Sequence, residues 1–313
     1  MKQNLDTRRI LIYLAFTFGI AWLVALVILL TGGLANSPQV GDNLTLALVL
    51  VSTVYMWAPA IAHLLTRLVT GEGWQNTYLS PRFKKGWPYW VAAWVLPAVF
   101  TALGAVLFFG VFPRFFDPSL NSLRTQFESN GQPAPIDLWT LFLIQIFGGV
   151  LLAPVINCLF SFGEEFGWRA YLLPKLIPAG ARKAILWMGL IWGIWYWPLI
   201  AMGYHYGVEY WGWPWLGLIV TTWLAVVMGA FLGWVTLRGG SIWPAVIGHA
   251  AVNGISGFVL ICTQGQPNLL LGPLSFGFVA SIGWALIAFW VYARPPVALE
   301  VHSEEPKAQT TVS

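Results

Sequence analysis

The chain has 313 residues, of which 58% are hydrophobic and only 9% are Asp, Glu, Lys or Arg, against about 25% charged in an ordinary soluble domain. A mean hydropathy of +0.71 and 20 Trp with 20 Phe, gathered in long apolar runs, exclude a water-soluble domain and point to a chain that crosses a bilayer. The pI near 9.1 rests on a formal net charge of +4 scattered over short connections, so membrane topology accounts for it and nucleic acid is not an expected partner.

In chain order, the apolar runs predict spans at Ile10 to Leu30, Leu44 to Leu65, Tyr89 to Val111, Leu138 to Phe160, Ala184 to Gly203, Trp215 to Thr236, Ile242 to Ile261 and Leu274 to Ala293. Each holds about 20 residues, enough for a hydrocarbon core of about 30 Å. The fold class is therefore all-α, a polytopic transmembrane helical bundle of about eight spans. The first run follows Arg8 and Arg9 as a signal peptide would, but no small-x-small cleavage site closes it, so it is expected to remain as a span.

Lys and Arg in the connections set the orientation. Lys2, Arg8, Arg9, Arg67, Arg82, Lys84, Lys85, Lys175, Arg182, Lys183, Arg238, Arg294 and Lys307 fall on one side, and only Arg114 and Arg124 on the other. The positive-inside rule puts both termini in the cytoplasm. Asp137 is a plausible N-cap, and Gly239-Gly240-Ser241 a helix stop followed by a start. Cys158 and Cys262, each inside an apolar run with no CxxC, are expected to be packing residues. The whole is one integral membrane domain, divisible into residues 1–137 with three spans, a core at 138–257, and 258–313 with the last span and a tail expected to be disordered after Pro296.

Chemistry-bearing residues concentrate in that core. Glu164 and Glu165 stand at the end of an apolar run, and Arg169 is i,i+4 from Glu165. Charges this close to hydrocarbon are costly and are usually paired or functional. In a helix Glu165 and Arg169 share a face while Glu164 points about 100° away, so Glu165 is expected to be paired and Glu164 free, as suits a general base acting on water. A salt bridge at a helix end near the cytoplasmic edge, with no chemistry, explains the same spacing equally well.

His249 and Asn253 are a second i,i+4 pair, with His249 about 12 Å past Ser241 along a helix. The pair should lie inside the membrane, approached from the cytoplasmic side, and both side chains can donate hydrogen bonds to one point. A polar pair joining two helices is the simpler account when the Glu cluster is left aside. The run from Ile191 to Tyr204 is an aromatic helix end with a proline, and Tyr196 within it carries no signal of its own.

Taken together, these segments resemble the CAAX-processing and bacteriocin-processing (CPBP, or Abi) family of membrane proteases, which includes the type II CAAX prenyl endopeptidases. That family carries Glu-Glu-x-x-x-Arg, then Phe/Trp-x-x-x-His, then His-x-x-x-Asn or a variant of it. Glu164, Glu165 and Arg169 match the first motif, and His249 with Asn253 the third. The resemblance implies that Glu164 activates a water for attack on a peptide carbonyl, that His249 and Asn253 steady the oxyanion or the water, and that Glu165 and Arg169 are structural partners.

The second motif departs from the family pattern: Trp192 holds the aromatic position and Tyr196 stands where the family has its histidine. A phenol donates a hydrogen bond but cannot accept a proton at neutrality as imidazole can. His63 or His205 could in principle enter the site instead, although His63 is expected to be a packing residue and His205 an exposed loop residue. Some accounts of the family invoke zinc. Of four histidines only His249 falls on a motif position, whereas a catalytic zinc generally takes three protein ligands, so no cofactor and no metal are expected.

The first reading is an intramembrane peptidase that cuts a membrane-associated peptide or protein near the cytoplasmic face with water activated by Glu164. The alternative, motivated by Tyr196, is a non-catalytic relative that binds membrane peptides or regulates a partner. A transporter or channel ranks last, because the acidic residues cluster near span ends and no inverted repeats are evident. A multi-pass protein with no targeting signal beyond its first span is expected in a bacterial plasma membrane.

Overall fold

The computed structural model describes residues 5–129 and 136–296, and the tail expected to be disordered lies outside the described residues. Helix α1, Thr7–Leu30, starts where the Asp6 carboxylate accepts the Arg9 backbone N–H, and a small β-hairpin pairs β1, Gln39–Gly41, with β2, Leu44–Thr45. Helix α2, Leu46–Leu50, is capped by the Thr45 hydroxyl. It runs through a wide π turn, Val51–Tyr55, into α3, Ala58–Thr70, which ends at left-handed Gly71. Helix α4, Phe83–Val111, then returns across the bundle.

A connecting helix α5, Asn121–Ser129, precedes α6, Leu138–Ile156, whose first turn is capped as expected by Asp137 through the Trp139 and Thr140 N–H groups. Helix α7, Cys158–Gly167, a π turn at Trp168–Leu172 and the short α8, Leu173–Leu176, carry the chain to the next connection. There follow α9, Ala181–Trp195, α10, Trp197–Ala201, α11, Trp215–Gly239, α12, Trp243–Ile255, and α13, Ile282–Ala293.

Six of these paths are long and apolar enough to cross a membrane: Thr7–Leu30, Leu46–Thr70, Phe83–Val111, Leu138–Ile156, Trp215–Gly239 and Trp243–Cys262. The all-α polytopic class holds, but two of the eight expected spans are not single long helices. The run from Ala184 to Gly203 divides at Tyr196 into α9 and α10, because Pro198 has no N–H to return to the Ile194 carbonyl and its ring crowds that carbonyl. The last run is helical only from Ile282. Before it the chain turns at Gly272-Pro273, and the N–H groups of Phe278 and Val279 are satisfied by Leu270 and Leu271 carbonyls.

Chain directions are fixed at both ends. At the end where α1 begins, the Ile242 N–H donates to the Tyr78 carbonyl, Arg182 to the Ala293 carbonyl, and Lys175 to Glu72. At the distal end Phe116 bridges Thr263, and the Asp117 N–H donates to the Cys262 carbonyl. The Lys- and Arg-bearing connections thus meet at one end, as the charge pattern requires. The flank of α6 turns Leu143, Ile144, Phe147, Leu151, Leu152, Val155 and Ile156 outward, a continuous apolar surface suited to lipid and not to water.

Close helix contacts set the site. A Cβ on Gly163 would fall 2.9 Å from the Met56 carbonyl oxygen, and one on Gly167 would overlap Pro59, so α7 lies directly on α3. A Cβ on Gly189 would fall 2.7 Å from Val226 Cα, and one on Gly193 2.6 Å from Thr222 Cα. Both pairs are small-xxx-small spacings, which let helix backbones approach in lipid. The first pair brackets Glu164 and Glu165; the second holds α9 so that Trp192 and Tyr196 face them.

Candidate active site

Glu164 and Glu165 diverge from consecutive positions of α7, as helical geometry demands. Arg169, a turn later, donates from Nη1 to Glu165 Oε1 at 2.7 Å, and both side chains are fully buried. The guanidinium lies 4.6 Å from the Trp192 ring centre, a cation–π contact strengthened by the absence of bulk water. Gly229 of α11 lies beside it, where a Cβ would stand at an ordinary contact distance of 3.7 Å from Arg169 Nη2.

Glu165 has a second partner that the sequence did not foretell. His249 Nδ1 lies 2.9 Å from Glu165 Oε1, so Nδ1 carries the proton and donates it to the carboxylate. This leaves Nε2 facing Glu164, 3.9 Å from its Oε1. Glu165 therefore joins Arg169 to His249 and fixes the imidazole's orientation.

Glu164 is not free, contrary to expectation. Trp192 Nε1 donates to its Oε2 at 2.7 Å and the Tyr196 hydroxyl to its Oε1 at 3.1 Å. Burial explains the correction: at 2% exposure a carboxylate without donors would carry the desolvation penalty alone. Trp192 went unnoticed as a site residue because tryptophan in a membrane helix ordinarily packs or anchors. Its four-residue spacing from Tyr196, which puts both on one face of α9, was the available signal. His249 and Trp192 also meet edge to face at 5.4 Å.

The cluster is likewise deeper than a helix end. Trp192 lies about 16 Å past Ala181 and His249 about 9 Å past Trp243 along their helices, so the charges sit well inside the bundle. They are carried there by α7, which continues inward from the break at Asn157 beside Pro154.

Glu164, Trp192, Tyr196, His249 and Asn253 line one cavity of about 650 Å³. From Glu164 its walls extend to Leu34 and Thr45 after α1 and to Gly203, Tyr204 and His205 after α10, all toward the distal end. The approach expected from the Lys- and Arg-rich face is therefore not the one this cavity takes. A flank also reaches lipid, where lining residues Leu48 and Phe160 are exposed.

The two spare histidines part company. His63 is fully buried, its Nδ1 at 2.8 Å from the Phe166 carbonyl and its Nε2 accepting from Arg67, which is a packing role. His205, expected in an exposed loop, is half-buried in the cavity wall. For a metal, Glu164 and His249 Nε2 are two donors directed at one point, while Glu165 and Nδ1 are committed to each other. Among the described residues no three His, Cys, Asp or Glu side chains form a group that could hold an ion.

A comparison with curated proteins gives no match. The sequence profile described as type II CAAX prenyl endopeptidase Rce1-like matches residues 135–255, the stretch from α6 through α12 that supplies every buried charge of the cluster. The likeness read from the three motifs thus coincides with the fold that brings them together: over residues 135–255 this multi-pass membrane chain is similar to the Rce1-like type II CAAX prenyl endopeptidases.

Proposed function

We propose that the protein is an intramembrane endopeptidase in which Glu164 activates a water held between its Oε1 and His249 Nε2. The observation that carries this reading is the pairing of Glu164 with an imidazole whose other nitrogen is tied to Glu165. A separation of 3.9 Å is long for a direct hydrogen bond and suits two groups acting on one shared atom. Glu164 takes a proton from the water as its oxygen attacks the peptide carbonyl, and passes that proton to the departing amine as the C–N bond breaks. Asn253 and the Tyr196 hydroxyl are the donors available to the oxyanion.

An endopeptidase is favoured over a carboxypeptidase by the cavity's charge. Its described lining includes Glu164 but no Lys or Arg, so nothing there would hold a chain-terminal carboxylate. The substrate is a membrane-associated peptide or protein, and the protein would act in a bacterial plasma membrane. The family description makes a farnesylated Cys-aliphatic-aliphatic-X peptide the first probe.

Purified protein in detergent should cleave such a peptide, and Glu164→Gln and His249→Ala should each abolish cleavage while each variant still inserts and elutes like the parent. Unimpaired cleavage by the double variant would sink the mechanism. A second reading, a non-catalytic relative that binds membrane peptides, is favoured by one observation: Tyr196 holds Glu164 where the family has an imidazole. Robust wild-type hydrolysis removes it.

A further inference from the structure

His205 occupies a backbone conformation that few side chains adopt. It occupies the left-handed region at φ +72°, between Gly203 at +95° and Gly207 at +71°, where a residue with a Cβ is disfavoured. The turn that enforces this is closed on both sides, by the Gly207 N–H donating to the Gly203 carbonyl and the Tyr206 N–H to the Tyr204 carbonyl. Its ring stacks on Phe276 at 4.2 Å with planes 3° apart and lies 4.3 Å from the Tyr204 ring. Orientation is thereby locked, with Nδ1 sealed away from the cavity and without a hydrogen bond among the described residues, so Nε2 is the nitrogen left to meet a bound peptide. Buried imidazole nitrogens are ordinarily satisfied.

Placement supplies the second half of the argument. The ring is part of the same cavity wall as Glu164 and stands 6.1 Å from the Tyr196 ring, on the side toward the distal end. A peptide reaching Glu164 through this cavity must pass it. Tyr196, Tyr204, His205 and Phe276 form an aromatic stretch of that wall, in which the imidazole and the two phenols are the hydrogen-bonding groups. Such walls depend on a small number of fixed polar groups to orient a ligand.

We propose that His205 is a substrate-positioning residue, its rigid imidazole hydrogen-bonding the backbone of a peptide bound in the cavity one step nearer the mouth than the scissile bond. This rests on the peptidase reading for its substrate class but not on hydrolysis itself.

Binding without turnover tests it. In a Glu164→Gln background, anisotropy of a labelled farnesylated Cys-aliphatic-aliphatic-X peptide and of its unprenylated form would be measured for His205→Asn, His205→Gly and His205→Ala. Asparagine keeps a donor and tolerates the left-handed backbone, and should bind within about threefold of the parent. Glycine keeps the backbone but loses the donor, and with alanine should weaken binding roughly tenfold, as loss of one hydrogen bond implies. Parent-like binding by the glycine variant overturns the proposal, because the histidine would then be serving only the turn.

Should a variant fail to fold, the intact chain still decides. The peptide should protect His205 from acylation by diethyl pyrocarbonate, read by mass spectrometry, and absence of protection overturns the assignment. So does failure of both peptides to bind the Glu164→Gln parent. If binding depends on His205 while the Glu164-containing protein cuts neither peptide, the hydrolase reading fails and the positioning role stands.

Discussion

The Tyr196 hydroxyl and His249 Nε2 converge on the same oxygen of Glu164, the phenol at 3.1 Å and the imidazole at 3.9 Å. The phenol therefore sets both where the carboxylate points and how much of it remains available to water. Tyr196→Phe keeps the ring packed against Trp195 and Tyr204 but removes the donor. If the hydroxyl supports the reaction, kcat for peptide cleavage should fall by about 10² with little change in KM. A rate that rises instead would identify the phenol as a block on Glu164. Tyr196→His should then raise the rate further, by returning an acceptor to that position.

Glu165, Arg169 and His249 form a chain in which removing one member strands another. Arg169→Met leaves Glu165 without its cation in a dry bundle and should cost about 3–5 kcal/mol, seen as a lower melting temperature in detergent. The paired replacement Glu165→Leu with Arg169→Leu removes both charges and should recover much of that loss. Because His249 Nδ1 then has no carboxylate to fix it, the recovered protein should still be inactive. Activity in the stable double variant would show that Glu165 serves packing alone.

Much of this site was legible, and what was missed has a common cause. The divergence of Glu164 and Glu165, the Glu165–Arg169 pair and the Asp137 cap follow from helix geometry within one segment. The bond from Glu165 to His249 and those from Trp192 and Tyr196 to Glu164 join residues on different helices, and spacing along the chain does not encode which helices touch. The glycine pairs 163/167 and 189/193 marked faces of close approach, though not the helices that meet them. The division at Tyr196 was visible in Pro198 but masked by continuous apolarity, since a hydropathy run records burial in lipid and not the continuity of its hydrogen bonds. The cavity's direction depended on which ends of several helices splay apart, a property of no single segment.

Outside the spans, Glu72 gathers the connections at the end where α1 begins. Burial alone would raise its pKa, but Lys175 at 2.6 Å, Arg67 and the Tyr171 hydroxyl outweigh it and hold the carboxylate below its ordinary 4.5. A folded-state pKa below the unfolded value means stability that is complete above about pH 4.5 and lost as the pH falls from there through the folded value. Melting temperature measured from pH 7 to pH 3 should fall in that acid range, and Glu72→Gln should flatten that part of the profile while lowering the plateau at neutrality. An unchanged slope in the variant would assign the acid sensitivity to other carboxylates.

The cavity mouth makes a prediction that separates charge-based orientation from site access. Leu34 and Thr45 line its distal part, whereas Lys175 lies with Glu72 and Asp6 at the opposite end. The positive-inside rule assigns the Lys175 end to the cytoplasm, so the mouth should face the other compartment. With Cys158 and Cys262 replaced by Ser, an impermeant maleimide applied to intact cells should label Thr45→Cys and spare Lys175→Cys, and inverted vesicles should reverse the pattern. Labelling of both from one side would contradict the helix directions themselves. Labelling of Lys175→Cys alone from outside would invert the orientation, turn the mouth to the cytoplasm and restore the expected side of cleavage with every site distance unchanged. In either orientation a bulky maleimide on Thr45→Cys should obstruct peptide entry and raise KM, because the route to Glu164 passes that residue whichever compartment it opens to.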